Sequence, residues 1–125
     1  MEFPQDLRYS SEHTWARREG NRVTVGITDF AQEELGEVLF LELPQVGRSV
    51  TAGESFGVVE SVKAVSDLFA PVSGTVVEVN PRLDDEPELV NHEPYGDGWM
   101  IVIEASKPDD WQALLSADDY QATIT

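Results

Sequence analysis

The sequence predicts a mainly β fold, a sandwich of strands with short helices at its periphery, and three segments carry this prediction. Residues 22–27 alternate polar and apolar side chains, which is the period of a half-buried strand. Residues 99–104 (WMIVIE) are apolar and rich in β-branched side chains. Residues 55–70 (SFGVVESVKAVSDLFA) are strand-like over a length that exceeds the roughly 3–10 residues of an ordinary strand. This long segment must therefore contain a reversal.

The elements before that segment follow from turn and capping residues. Residues 1–12 are expected to be loosely structured and to be anchored by the rings of Tyr9 and Trp15. After the strand at 22–27, Thr28 or Asp29 can cap a short helix over DFAQEELG, which Gly36 can end. The next strand is expected over residues 37–43, closed by Pro44 and followed by glycine turns.

The reversal within residues 55–70 is expected at residues 60–64, the least apolar stretch, with Lys63 at its tip. The segment lacks the Asn-Gly or Asp-Gly pair that best marks a tight hairpin. LELPQVG at 41–47 and LFAPVSG at 68–74 share an order of strand, proline, valine and glycine. A pseudo-symmetric sandwich with Lys63 at one end would explain this weak internal repeat, and so would chance similarity between two short segments.

The C-terminal third predicts two more strands and two helices. A strand at 75–79 and a polar loop at 84–87 precede the strand at 99–104. Pro108 with two following acids, and then Ser116 with two more, are typical helix openings, so short helices are expected over about residues 108–122. The core is expected to contain Val25, Ile27, Leu39, Leu41, Val58, Phe69, Val76, Ile101 and Ile103.

Composition limits the function classes. The 125 residues are expected to form one domain, 1–125, and 24 acidic residues against eight Lys and Arg give a net charge of -16. This charge disfavours nucleic acid and anionic membranes as partners, since both need clustered cations. The absence of cysteine excludes disulfides, thiolate metal sites and cysteine nucleophiles. No apolar run approaches the roughly 18 residues of a membrane span, so we expect a soluble protein.

Catalytic motifs are not recognisable, and one lysine is conspicuous. The two histidines, His13 and His92, lie far apart without a cysteine or an i, i+4 partner, so no metal site is predicted. Lys63 is one of only two lysines, and it lies in ESVKAVSD, residues 60–67, between small and apolar neighbours. Such an amine is where a covalent cofactor would be attached. An ordinary solvated turn lysine is the alternative.

Four segments carry a family resemblance: VGITDFAQEELGEVLFLELPQVG (25–47), GESFGVVESVKAVSDLFAPVSGTVVEVN (53–80), PELVNHEPYGDGW (87–99) and the closing SADDY (116–120). They resemble the H protein family of the glycine cleavage system, the lipoyl carriers. ESVKA is the most specific element, because biotin domains usually flank their lysine with methionine and other lipoyl domains more often read DKA. The resemblance implies a barrel-sandwich hybrid of the hammerhead, lipoyl-domain type.

The resemblance further implies that lipoic acid is joined to Lys63 by an amide. The arm would carry an aminomethyl group from glycine decarboxylase (P protein) to aminomethyltransferase (T protein), and dihydrolipoamide dehydrogenase (L protein) would reoxidise it. A lipoylating enzyme is a fourth implied partner. The protein itself would be a carrier without catalytic activity. We expect a monomer that is cytoplasmic if bacterial or archaeal, and in the mitochondrial matrix if eukaryotic.

Further site residues follow from the resemblance. Glu60 and Gly74 are implied in recognition by the lipoylating enzyme, although a turn role is expected first for Gly74 and plain exposure is the alternative for Glu60. Glu12 and His13, in SEHTW, are implied near the arm, and Asp67 is expected to contact the arm, hold the hairpin or meet a partner, with a solvated carboxylate as the alternative.

The sequence departs from the family at two positions near the arm. Thr14 stands where the family often has a glutamate that could pair with the aminomethyl cation, and Glu12 is a possible substitute, since two positions apart on a strand means the same face. Phe30 stands where some members carry histidine.

Two other functions stay open from the sequence alone. The first is an H-like lipoyl protein that serves another pathway, either as a relay of lipoyl groups or as a carrier in sulfur oxidation. The second is a stand-alone enzyme or an unmodified binding module, which the lack of a nucleophile and base set disfavours.

Overall fold

The computed structural model describes residues 1–124; Thr125, the last residue of the single domain expected above, lies outside the described residues. Over residues 1–124 the secondary structure is mainly β, as predicted. The strands of this part are β1 (Arg8–Tyr9), β2 (Thr14–Glu19), β3 (Arg22–Ile27), β4 (Val38–Glu42), β5 (Ser49–Val50), β6 (Ser55–Ser61), β7 (Val65–Phe69), β8 (Gly74–Val79) and β9 (Ile101–Ala105).

Short helices lie between and after the strands. They are α1 (Asp29–Leu35), a 3-10 helix (Pro81–Asp84), α2 (Leu89–His92), α3 (Pro108–Gln112) and α4 (Ala117–Ile124). α1 begins and ends as predicted, because the Thr28 hydroxyl accepts a hydrogen bond from the Ala31 N–H at 3.2 Å and Gly36 follows the last turn. Among the described residues, no helix is both long and apolar enough to cross a membrane.

The strands pair antiparallel in two sheets. The larger sheet has the order β1-β2-β3-β9-β8-β5, and the smaller has the order β4-β6-β7. Over the described residues the two sheets remain separate, so the strands form a sandwich rather than a closed barrel. β6 is the central strand of the smaller sheet, and its hairpin with β7 is the reversal predicted within residues 55–70.

One apolar cluster fills the sandwich and contains most of the predicted core. The predicted core residues that are buried in it are Val25, Ile27, Leu41, Val76, Ile101 and Ile103. Val58 and Phe69 are only half-buried.

The prediction for Leu39 is wrong, because its side chain is 51% exposed. The pairing of β4 with β6 shifts register between Val38 and Phe40, and this irregularity breaks the alternation of inward and outward side chains. Val38 and Leu41 therefore point inward, whereas Leu39 and Phe40 are both exposed.

The N-terminal segment is more ordered than predicted. β1 pairs with β2, and Tyr9 exchanges backbone hydrogen bonds of 2.8 and 2.7 Å with Leu115. Tyr9 and Trp15 are fully buried in a second apolar cluster, as their anchoring role requires. β2 was not predicted, because its second half is Arg17-Arg18-Glu19 and shows no apolar alternation.

Three of the four arginines in the strands of the larger sheet lie on aromatic rings. The guanidinium groups of Arg8 and Arg18 lie 5.4 and 5.5 Å from the ring centroid of Trp111, and that of Arg17 lies 5.1 Å from the ring of Trp15. Such cation–π contacts place the positive charge on the β1–β2 side of the sandwich.

Candidate functional site

Lys63 lies in the exposed turn between β6 and β7, and Ser61 holds that turn together. The Ser61 N–H donates to the Ala64 carbonyl at 2.8 Å. The Ser61 hydroxyl oxygen accepts hydrogen bonds from the N–H groups of Lys63 and Ala64, each at 3.2 Å. The Val62 N–H donates to the Glu37 carbonyl at 3.0 Å, which ties the turn to the segment before β4. The backbone on both sides of Lys63 is therefore fixed by hydrogen bonds.

The Lys63 side chain passes the end of α1. Gly36 has a φ of 73°, and a Cβ added there would lie 3.3 Å from Lys63 Cε and 3.4 Å from Val62 Cγ2. A larger residue at position 36 would therefore press on the stem of the lysine as well as strain the backbone. The turn also exposes apolar surface, since Val62 is 59% and Val65 is 67% exposed.

A cavity of about 520 Å³ lies beside the hairpin, between α1, the segment before β2 and β7. Glu12 and His13 line it from the segment before β2, Phe30 and Glu34 from α1, and Asp67 from β7. Three residues that the sequence analysis placed near the arm, Glu12, His13 and Asp67, thus line one cavity. Three carboxylates and one imidazole give it a negative electrostatic character.

Glu12 lines this cavity, but it does not share a strand face with Thr14 as expected. It lies outside β2, and His13, between it and the strand, has a φ of 70°, so Glu12 and Thr14 do not share a strand face. Thr14 also lines the cavity, but its side chain is buried, and its hydroxyl lies 2.7 Å from the Ser10 hydroxyl and donates to the Phe69 carbonyl at 3.2 Å. Thr14 therefore joins β2 to the end of β7.

His13 is part of a hydrogen-bond chain that runs into the C-terminal helix. Its Nδ1 lies 2.8 Å from the Tyr120 hydroxyl, which lies 2.8 Å from the Thr28 hydroxyl. Burial lowers the pKa of His13 from its ordinary value, against the opposing effect of Glu12 and Glu34. Burial raises the pKa of Tyr120, against the opposing effect of the Thr28 hydrogen bond.

The other predicted site residues occupy different places. Glu60 is exposed on β6, paired with Val65 across the hairpin, so it lies next to the turn. Asp67 accepts a hydrogen bond from the Ser55 hydroxyl at 3.2 Å as well as lining the cavity. Gly74 is not near this group, since it begins β8 in the larger sheet, where an added Cβ would meet the Glu104 carbonyl.

Sequence reasoning missed Ser61, Glu34 and Tyr120. A serine two positions before the lysine is a signal for Ser61, because serine hydroxyls often accept hydrogen bonds from N–H groups two or three residues later. Glu34 lies on the short helix, and its place at the cavity depends on how that helix packs. Tyr120 is 107 residues away from His13, and no local pattern connects them.

Comparison with known proteins agrees with this arrangement. The family described as Glycine cleavage H-protein matches residues 7–125. A glycine cleavage system H protein from Anaeromyxobacter sp. (strain K) is 60% identical over 124 residues, which cover 99% of this chain and 97% of that protein. A probable glycine cleavage system H protein from Haloarcula marismortui is 57% identical over 124 residues, with 99% and 98% covered.

A solved structure gives the same result for the fold. The crystal structure of a glycine cleavage system H protein from Mycobacterium marinum matches with a TM-score of 0.89 and 42% identity, covering 97% of this chain and 98% of that one. Since the sequence and the fold both match over nearly the whole length, the chain belongs to the glycine cleavage H-protein family, the non-catalytic lipoyl carriers of the glycine cleavage system.

Proposed function

We propose that Lys63 is the lipoyl attachment site of this single-domain carrier. The observation that carries the proposal is that Lys63 lies at the tip of the β6–β7 turn in a member of a lipoyl carrier family. An amine that an enzyme must acylate has to be reachable, and the Lys63 side chain is exposed. In the described part of the chain it has no ion pair that would have to be broken. Acylation removes the charge of the lysine, so the arm can enter a partner's active site without a cation that must be desolvated.

The bound group supplies the transfer chemistry. Lipoic acid on Lys63 would supply a dithiolane whose opened ring would carry the aminomethyl group from glycine decarboxylase to aminomethyltransferase. The dithiol left after that transfer would be reoxidised to the dithiolane by dihydrolipoamide dehydrogenase. The protein's own part is to present Lys63 on a fixed turn and to offer an acidic surface to each enzyme. The bacterial and archaeal relatives support a cytoplasmic location.

Glu60 is proposed as a recognition residue for the lipoylating enzyme, because it is exposed and lies at the hairpin end that carries Lys63. We expect Glu60→Gln to slow lipoylation, while Glu54→Gln, an exposed carboxylate at the other end of the hairpin, leaves the rate unchanged. Equal rates in both variants would remove Glu60 from this role. Gly74 is proposed to act first through the packing of β8 on β9 and only secondarily in recognition.

Glu12, His13 and Asp67 are proposed to contact the arm when it lies in the cavity beside the hairpin. The cavity borders the same hairpin as Lys63, and its carboxylates suit a positively charged cargo. Glu12 here supplies the carboxylate that Thr14 does not.

Intact-mass analysis tests the attachment. The protein is coexpressed with a lipoylating enzyme and digested for peptide mapping, with Lys63→Arg and Lys107→Arg as the matched pair. We expect the wild type and Lys107→Arg to gain the mass of one lipoyl group, and Lys63→Arg to gain none. Modification at Lys107, or none while a control lipoyl domain is modified, would refute the proposal.

A further inference from the structure

The Tyr120 hydroxyl joins two walls of the cavity that are far apart in the sequence. On one side it meets His13, which lines the cavity from the segment before β2. On the other side it meets Thr28, the N-cap of α1, whose side chains line the opposite part of the cavity. Tyr120 itself is fully buried and lies in α4, outside the cavity lining.

The hydroxyl is held in place by aromatic packing that does not depend on it. The Tyr120 ring stacks on Tyr9 with a centroid distance of 5.0 Å and an interplanar angle of 9°. Phe3 meets the same ring edge-on, with centroids 5.7 Å apart. A phenylalanine at position 120 would keep these contacts and lose the hydroxyl alone.

The backbone at His13 is held in an uncommon conformation around this contact. A φ of 70° is rare for a residue other than glycine and persists only when the surrounding structure requires it. The His13 carbonyl accepts a hydrogen bond from the Thr28 N–H at 3.1 Å, and the His13 N–H donates to the Ser10 carbonyl at 3.2 Å. His13 and Thr28 are therefore connected twice, once by backbone and once through Tyr120.

The direction of the hydrogen bonds follows from counting protons. The Thr28 oxygen already accepts from the Ala31 N–H, so its own proton needs an acceptor, and among the described residues Tyr120 is the one in reach. If Thr28 donates to Tyr120, then Tyr120 donates to Nδ1 of His13, and the imidazole proton lies on Nε2. The reverse order would leave the proton of a fully buried Thr28 hydroxyl without an acceptor, which folded proteins avoid.

We propose that Tyr120 is a positioning residue that holds His13 as the neutral tautomer with its proton on Nε2, so that the cavity receives an N–H donor and no positive charge. This inference rests on the proposed use of the cavity by the Lys63 arm. Protonation of His13 would turn Nδ1 into a donor and force the chain to reverse, so the hydroxyl chain opposes protonation in the same direction as burial does. The charged groups that face His13, namely Glu12 and Glu34 with Asp67 across the cavity, then keep their full negative field for a cationic cargo.

The tautomer can be measured on the unmodified protein by nitrogen-15 NMR of the imidazole. We expect wild-type His13 to show an unprotonated Nδ1 and a protonated Nε2 at neutral pH. In Tyr120→Phe the two nitrogens should move toward the averaged shifts of a tautomer mixture, and the His13 pKa should rise toward its ordinary value of about 6.5. A wild-type proton on Nδ1 would overturn the proposal without any variant.

Tyr95→Phe is the matched control. Tyr95 is a partly buried tyrosine outside the His13 hydrogen-bond chain, and its hydroxyl meets the first residue of α1: it accepts from the Asp29 N–H at 2.9 Å and donates to the Glu2 carbonyl at 2.7 Å. We expect Tyr95→Phe to lose the two hydrogen bonds of its own hydroxyl and to leave the His13 nitrogens unchanged. Equal changes in the His13 nitrogen shifts in both variants would show that the loss of either tyrosine hydroxyl loosens the surrounding structure in general. That result would refute a specific role for Tyr120.

The functional readout is a pH profile of the lipoylated protein with glycine decarboxylase. Tyr120→Phe should lose activity relative to wild type below about pH 6.5, where more of its His13 is charged, and match wild type about 1.5 units higher. A loss that is the same at every pH would contradict the positioning role. Because mass analysis establishes lipoylation separately, failure of this inference is distinguishable from failure of the attachment proposal.

Discussion

Replacing Ser61 by alanine tests how strongly the turn around Lys63 is held. The substitution removes the oxygen that accepts the N–H groups of Lys63 and Ala64 at 3.2 Å. Each such bond contributes about 0.5–1.5 kcal/mol net, and since both are long and the freed groups can reach water, we expect a total loss of about 1–2 kcal/mol. With a urea dependence of about 2 kcal/mol per molar, the unfolding midpoint should fall by about 0.5–1 M.

The same change should slow lipoylation. A loss of about 1 kcal/mol lowers the ratio of ordered to open turn by about fivefold, and the rate of modification follows the fraction of molecules with an ordered turn. The kcat/KM of the lipoylating enzyme for this protein should therefore fall, with about fivefold as the upper limit. The assay is the initial rate of mass gain on folded protein, with Ser66→Ala on the facing strand as the control. If Ser61→Ala is modified as fast as Ser66→Ala, the hydrogen bonds of Ser61 do not prepare the lysine, and the reasoning is refuted.

Three further predictions follow from packing, titration and charge. Gly74→Ala should lower the free energy of unfolding by about 1–3 kcal/mol, because its Cβ would meet the Glu104 backbone, and urea titration measures it. Acidification through about pH 6.5 should lower the free energy of unfolding, because burial depresses the pKa of His13 in the folded protein and the unfolded chain takes up the proton first. His13→Gln should make the free energy of unfolding depend less on pH in this range. Higher salt should lower the association rate of the lipoylated protein with each partner enzyme, and Glu60→Gln or Asp67→Asn should reproduce part of that loss in stopped-flow measurements.

Each of these has a defined contrary result. Wild-type stability of Gly74→Ala would mean that β8 can move away from β9. A pH slope that is the same in His13→Gln would assign the acid sensitivity to other groups. Association rates that stay flat from low to high salt would show that shape selects the partners. A fall in the remote Asp119→Asn as large as that near the hairpin would assign the steering to net charge and not to the hairpin carboxylates.

The predictable part of the molecule is the part set by local pattern. The hairpin followed from a strand-like run too long for one strand, and the position of its turn followed from polarity. The caps of α1 followed from Thr28 and Gly36. Leu39 failed because a register shift in β4 depends on pairing with β6, which an alternation rule does not contain.

The cavity could not be predicted from local sequence pattern, for a related reason. Its walls come from residues near 12, 30 and 67, and the chain can bring them together only after both sheets have packed. The conformation of His13 was equally hidden, since a positive φ at a histidine has no sequence signature comparable to glycine. The resemblance to a family placed Glu12 and His13 near the arm, whereas periodicity alone did not.

Charge is unequally distributed between the strands of the two sheets. The strands of the larger sheet contain four arginines and three acids, Glu19, Glu78 and Glu104, while those of the smaller sheet contain Glu42, Glu60 and Asp67 and no cation. A positively charged enzyme should therefore attract the smaller sheet more strongly than the larger one. We expect this attraction to favour encounters in which Lys63, at the end of the smaller sheet, faces the enzyme, so that the arm has a shorter search to complete.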